Sequence, residues 1–250
     1  VKLACAYQFQ KKNYHKKTIV GFLDSYHGST NLTGSIGHDN FMDDPFYTLD
    51  PNPSVKRIPR DTSKFSEVDW DSVAAIVIET CAYGGDMTPP SAEFWASLDE
   101  IRTKHDVIIS IDDVFMGGGK TGTYLGWENM NIRPDISTMG KAITGGNFPL
   151  SMVLFNDKIR DVLPKNFDWE HGFTYCFSLP GVASAVKYLE ILERDKLLEN
   201  HDSIVERATK IFEDAGYTVF NRFGLHYKVR KQHETWLEKH FYVVPIAADD

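Results

Sequence analysis

At 250 residues the chain can bury a large core, and 42% hydrophobic with 25% charged residues matches soluble globular proteins, which excludes disordered, collagen-like and coiled-coil classes. A net charge of −8, with basic residues scattered outside short clusters such as Lys11-Lys12 and Lys16-Lys17, repels a phosphate backbone and argues against nucleic acid as a partner. No stretch approaches the roughly 18 apolar residues of a membrane span, and VKLACAYQFQKKNYHKK lacks the order of a signal peptide, so the chain reads as soluble, cytoplasmic and without a membrane partner.

In chain order, Val1, Leu3, Ala4, Tyr7 and Phe9 recur at helical spacing with no capping residue before them, so the sequence reads as opening inside a helix. TIVGFLDS (18–25), AAIVIET (74–80) and VIISIDDV (107–114) are near-continuous apolar runs, the pattern of parallel strands covered on both faces. Between the last two, PPSAEFWASLDEIRTKH carries start signals at Pro90 and Ser91 and places Phe94, Leu98 and Ile101 on one helical face, giving strand, helix, strand. DISTMG (135–140) and LSMVLF (150–155) predict two more short strands, which complete the sheet, and residues 181–216 predict one or two long amphipathic helices. YTVF and LHYKVR (217–230) predict a new antiparallel pair. The division is a large domain over 1–216 and the start of a small one over 217–250. Cys5, Cys81 and Cys176 are odd in number and too few for a disulfide framework, and read as ordinary buried thiols in a reducing compartment.

The chemistry concentrates in residues 111–155. GGGKTG (117–122) satisfies G-x-G-x-x-G after a strand, but the adjoining segment, TYLGWENMNIRP, is a poor helix, and a phosphate-binding P-loop would need glycine where Val114 stands. The alternative is a pyridoxal-phosphate site, which needs an amine for the aldehyde, an acid against the ring nitrogen, a phosphate cradle and apolar groups on the ring. Asp112 ends a strand, where side chains reach the crevice beyond a parallel sheet, and a carboxylate there favours the protonated ring. Alternation sends Asp113 to the opposite face and gives Val114 the face of Asp112. Lys141 follows a strand and precedes the permissive glycines of ITGGNFP.

These segments, DDVFMGGGKTG and PDISTMGKAITGGNFP, resemble the class III (omega) aminotransferase pattern D-E-V-x-x-G-x-G-R-T-G and P-D-I-x-x-x-G-K-A-x-x-G-G-x-x-P at the same spacing. SYHGST resembles the family's aromatic-His-Gly element, IVIET followed by GG and PPSAEF its E-P-x-x-x-x-x-G stretch, and HGFTYCFSLPGVASA its H-G-x-T-F-x-x-x-P-x-A-x-A. The resemblance covers about residues 1–195 and implies the large domain of fold type I pyridoxal-phosphate transferases, an α/β fold with a mixed, mostly parallel sheet flanked by helices. It implies Lys141 as the Schiff-base lysine and Asp112 as the pyridinium partner. It also implies that Tyr26 stacks on the ring with His27 beside it, that Glu79 lies near Asp112 and the substrate amine, and that Thr174 binds the phosphate of the neighbouring subunit in a homodimer. No metal is implied.

The implied reaction is ping-pong transfer of an amino group from an amino acid or amine to an oxo acid or aldehyde. The alternatives are a racemase or mutase of the same fold and a non-catalytic fragment. Asp113 for Glu, Thr80 for Pro, Lys120 for Arg and Phe115 for a frequent Gln depart from the pattern; the Asp-Asp-Val and Glu-Thr variants resemble the diaminobutyrate transaminases among the ornithine and acetylornithine aminotransferase-like members. The family's N-terminal phosphate loop and most of its C-terminal domain have no counterpart, so the chain reads as the middle of a longer protein.

Overall fold

The computed structural model describes residues 1–37, 52, 54–82, 87–169, 171–176, 178–231 and 239–242, with only the backbone of 231 and 239–242. Gly84 and Gly85, the glycine pair of the motif after IVIET, lie outside the described residues. Strands β1 (Thr18–Phe22), β2 (Val55–Ile58), β3 (Val73–Glu79), β4 (Ile108–Asp112), β5 (Ile136–Met139) and β6 (Met152–Phe155) form one sheet in the spatial order β2, β1, β3, β4, β5, β6. The first five are parallel, and β6 returns antiparallel to β5.

The apolar runs are explained by what covers them. Every residue of β3 is buried, with Ile76 and Ile78 facing one layer and Ala75 and Val77 the other. The first layer is α3 (Ala92–His105), through Phe94, Trp95 and Leu98; the second is α1 (Lys2–Gln10), through Ala4 and Tyr7, with Ile159 of α4 (Asp157–Arg160). Each such buried isoleucine contributes about 1.5–3 kcal/mol, which outweighs any preference of the strand for one polar face. α3 begins where the sequence indicates: Ser91 accepts a hydrogen bond from Phe94 N at 3.2 Å, Glu93 sits in the first turn and Arg102, Lys104 and His105 in the last, matching the helix dipole.

Residues 181–216 resolve into two helices, α5 (Leu179–Arg194) and α6 (His201–Asp214). The C-terminal strands β7 (Tyr217–Phe223), β8 (His226–Lys231) and β9 (Lys239–Tyr242) form a separate antiparallel sheet, one strand more than the predicted pair. β2 and the short helix α2 (Asn31–Ile36) were also not legible, because V-K-R-I is a brief, half-polar edge strand and N-L-T-G-S-I carries two poor helix formers. One expectation is corrected. Cys81 is buried, but Cys5 and Cys176 are exposed. Cys5 lies on the outer side of α1, away from Ala4 and Tyr7, and Cys176 ends an exposed segment, 171–176. Among the described residues no helix is long and apolar enough to cross a membrane.

Candidate active site

Parallel strands bring their carboxyl ends to one rim of the sheet, and the register fixes what stands there. Glu79 pairs with Asp112, and Asp112 with Thr138, so three polar side chains end three adjacent strands, one strand spacing apart. Asp112 is held from several directions. Its Oδ2 lies 2.9 Å from His27 Nδ1, and its Oδ1 accepts from Thr138 Oγ1 and Val114 N, each at 3.3 Å. The contact with Val114 N is a turn-closing bond, so this carboxylate both caps the turn and faces the crevice. His27 Nε2 is buried with no hydrogen-bond partner among the described residues.

The next turn of chain after β1 completes the rim. Tyr26 N donates to Glu79 Oε2 at 2.8 Å, and the Tyr26 side chain is half-buried. Arg60 spans the same corner, donating to Asp24, to Ser25 Oγ at 3.0 Å and to the Glu79 carbonyl at 3.0 Å. Nothing in the sequence marked Arg60, which lies before β3 and in no motif.

Lys141 opens a 3₁₀ turn, Lys141–Thr144, just beyond β5. Its φ of +50° is left-handed, a conformation that costs a non-glycine residue about 1–3 kcal/mol and that concentrates at functional sites. The turn closes on Gly145, at φ +61°. Val114 lies against Gly140: a Cβ built there would stand 3.6 Å from Val114 Cγ1. Lys141 is therefore launched from the strand end next to that of Asp112, with Val114 between the two loops. Its side chain is exposed, and Nζ stands 5.5 Å from the centroid of the buried Phe115 ring. Lys120 Nζ stands 5.5 Å from the same centroid and donates to the Phe115 carbonyl.

Burial shifts several of these groups. It pushes the Glu79 carboxyl from 4.5 up to about 7, with the Asp112 charge adding to it and with His27, the Tyr26 amide and Arg60 opposing. It likewise pushes Asp113 from 3.8 up to about 7, although Gly126 N donates to Asp113 Oδ2 at 2.8 Å; Oδ1 is buried without a hydrogen-bond partner among the described residues. Burial, with the charge of Lys141, brings Lys120 from 10.5 down to about 8.

The two carboxyl groups thus bind protons more tightly folded than unfolded. The resulting stability is full below the ordinary values and is lost as pH rises to about 7. At about 1.4 kcal/mol per pH unit, each costs on the order of 3 kcal/mol at pH 8. Glu79→Gln and Asp113→Asn are therefore expected to unfold at higher guanidinium concentration than the parent at about pH 8, with the gap closing towards about pH 4. Equal midpoints at the higher pH would show that neither group is held protonated.

Of the residues singled out in the sequence, Glu79, Asp112, Tyr26, His27, Val114 and Lys141 converge on this rim. Asp113 points away, as strand alternation requires. Thr174 is exposed, and no hydrogen bond joins it to the rim among the described residues. Trp127 packs against the α3-side core.

The sheet is open and mostly parallel, and a lysine and a carboxylate stand on adjacent strand ends, at the rim where sheets of this kind take their ligands. Residues 1–219 match the family model described as aminotransferase class-III, and the chain belongs to that family. It is 30% identical over 234 residues to the succinylornithine transaminase of Citrobacter koseri, covering 92% of this chain and 54% of that protein. To the putrescine–pyruvate aminotransferase of Pseudomonas aeruginosa it is 28% identical over 213 residues, covering 77% and 47%. A transaminase structure from the marine bacterium Virgibacillus superposes with a TM-score of 0.76 at 24% identity, covering 91% of this chain and 55% of that one, a likeness of fold. The chain spans about half the length of the curated relatives it matches.

Pyridoxal phosphate is the cofactor that accompanies this family. The rim fits it: one exposed primary amine, one carboxylate fixed by a histidine, and a half-buried tyrosine and valine for the ring.

Proposed function

We propose that this chain carries the cofactor crevice of an enzyme that moves an amino group from an amino acid or amine to an oxo acid or aldehyde. The observation that carries the reading is the pairing of a strained, exposed Lys141 at the end of β5 with Asp112, pinned by His27, at the neighbouring end of β4. Pyridoxal phosphate, when bound, supplies the electron sink for charge developing on the substrate α-carbon. Lys141 holds its aldehyde and, as a free amine, carries the substrate α-proton. Asp112 keeps the ring nitrogen protonated, and His27 keeps Asp112 in place. Tyr26 and Val114 bear on the ring, and Glu79 meets the substrate amine in whichever protonation state the pH selects, since it titrates near neutrality.

A second copy of the chain is the partner, contributing Thr174 to its neighbour's phosphate. In support, α5 exposes Leu179, Val182, Val186 and Leu189 at helical spacing, and β6 exposes Val153 and Phe155, apolar side chains of the kind that a second copy would cover. A one-chain mass in sedimentation at micromolar concentration would remove that partner. The change from the six-stranded to the antiparallel sheet at Tyr217 supports residues 217–250 as the start of a second domain, and three cysteines, too few and odd in number for a disulfide framework, accord with a cytoplasmic setting.

The test is reduction with borohydride after adding pyridoxal phosphate. The expected result is one pyridoxyl group per chain, on the peptide containing Lys141, together with amine transfer to 2-oxoglutarate or pyruvate. Fixation at Lys141 without transfer, but with racemised or rearranged amino acid, would turn the reading towards a racemase or mutase. Absence of fixation would leave a non-catalytic fragment.

A further inference from the structure

β8 sends one side chain into this region that the site chemistry so far does not use. His226 is 2% exposed, and its ring centroid lies 4.2 Å from that of Phe115, the ring beneath both lysine ammonium groups. The β7–β8 hairpin is fastened to the loop that carries Phe115. Leu225 N donates to the Lys120 carbonyl at 2.9 Å, and His201 Nε2 of α6 lies 3.3 Å from the same oxygen. Gly224, at φ +56°, makes the approach possible: a Cβ there would stand 2.3 Å from that carbonyl.

Packing alone does not account for an imidazole here. Methionine or leucine would fill the volume, but neither could keep the hydrogen bond that the imidazole shares with the Phe115 backbone. Burial, with the charges of Lys120 and Lys141, pushes His226 from 6.5 down to about 3, against the opposing influence of the Phe115 backbone. The ring is therefore neutral around pH 7 and lies beside two cations without repelling them.

We propose that His226 is a positioning residue for Lys141: by fixing the Phe115 ring, the C-terminal sheet sets where the reacting amine stands. The proposal rests on the reading of Lys141 as that amine. A cation over an aromatic ring is attracted to the ring's face, so its preferred place moves with the ring. A misplacement of about 1 Å at a reacting group can cost on the order of 100-fold in rate.

The experiment compares His226→Leu, His226→Met, Phe115→Leu and the Phe115→Leu/His226→Leu double variant in the full chain, by two rates at Lys141. One is borohydride fixation of pyridoxal phosphate; the other is reductive methylation by formaldehyde, which needs no cofactor, referred to the exposed Lys187. Both His226 variants are expected to slow fixation about tenfold and to change methylation of Lys141 at least about threefold. With Phe115 already replaced, the His226 substitution should change either rate by less than about twofold, because its effect passes through that ring. A packing role would instead lower the unfolding midpoint in both backgrounds and leave both rates unchanged, and that result overturns the proposal. Should leucine prevent folding, methionine, closer in shape, carries the comparison. If the parent takes no pyridoxyl group at Lys141, the function fails and the methylation rates still decide the positioning role.

Discussion

Replacing Lys141 by alanine is expected to lower amine transfer by on the order of 10⁴-fold or more while leaving the fold intact, because on the proposed function the substitution removes both the group that holds the cofactor's aldehyde and the base that moves the α-proton. The fold should persist since the side chain is exposed. Lys141→Arg separates charge from chemistry. Guanidinium keeps a cation over the ring but is protonated throughout the working range and does not condense with aldehydes, so it should be as inactive as alanine. Transfer by either variant at more than about a hundredth of the parent rate would assign the chemistry to another amine. Lys120 would then be the one to examine, since it shares the Phe115 ring and is already brought down to about 8. The nucleotide reading of GGGKTG makes the opposite forecast, that NAD or ATP binds and survives Lys141→Ala. The loop does not favour it: residues 123–125 after the glycines are irregular, with only a 3₁₀ turn at Gly126–Asn129, so no α-helix N-terminus faces a phosphate there.

How much of this was readable in advance divides along the range of the interactions. β3, β4 and α3 were visible because burial on both faces imposes apolar runs, and because a serine cap and charged helix ends are local signals. The places of Asp112 and Lys141 at neighbouring strand ends were visible because each follows a strand-like run in the sequence. β2 was hidden in four half-polar residues whose strand character comes only from pairing with β1. Arg60 and His226 were hidden for the same reason at the level of side chains. Arg60 meets Asp24, Ser25 and Glu79, and His226 meets Phe115 across 111 positions of chain, and neither lies in a motif that records the contact. The exposure of Cys5 and Cys176 was misread because residue type alone predicts a buried thiol, whereas helix phase and an exposed segment decided otherwise.

Asp112→Asn tests the other half of the pairing. Asparagine keeps the size of the side chain and can still accept from Thr138 and Val114, while its amide, as a donor, meets the lone pair of the other His27 tautomer. What is lost is the negative charge that the proposed function sets beside the ring nitrogen. An opposite charge within about 4–6 Å raises the affinity of a base for its proton by about 1–3 pH units, and each unit is about tenfold, so transfer should fall by about 10 to 10³-fold with little change in unfolding midpoint. A second consequence is specific to this rim. The Asp112 charge is one of the influences that push Glu79 up to about 7, so its removal should let Glu79 ionise at lower pH. The Glu79 carboxyl titration, followed by carbon-detected NMR of the full chain, should therefore move down in Asp112→Asn, and any limb of the activity profile that it governs should move with it. A variant that keeps transfer within about threefold of the parent would exclude Asp112 as the ring's partner. A Glu79 titration that stays in place would show that the two strand ends do not sense each other's charge, despite their pairing in the sheet register.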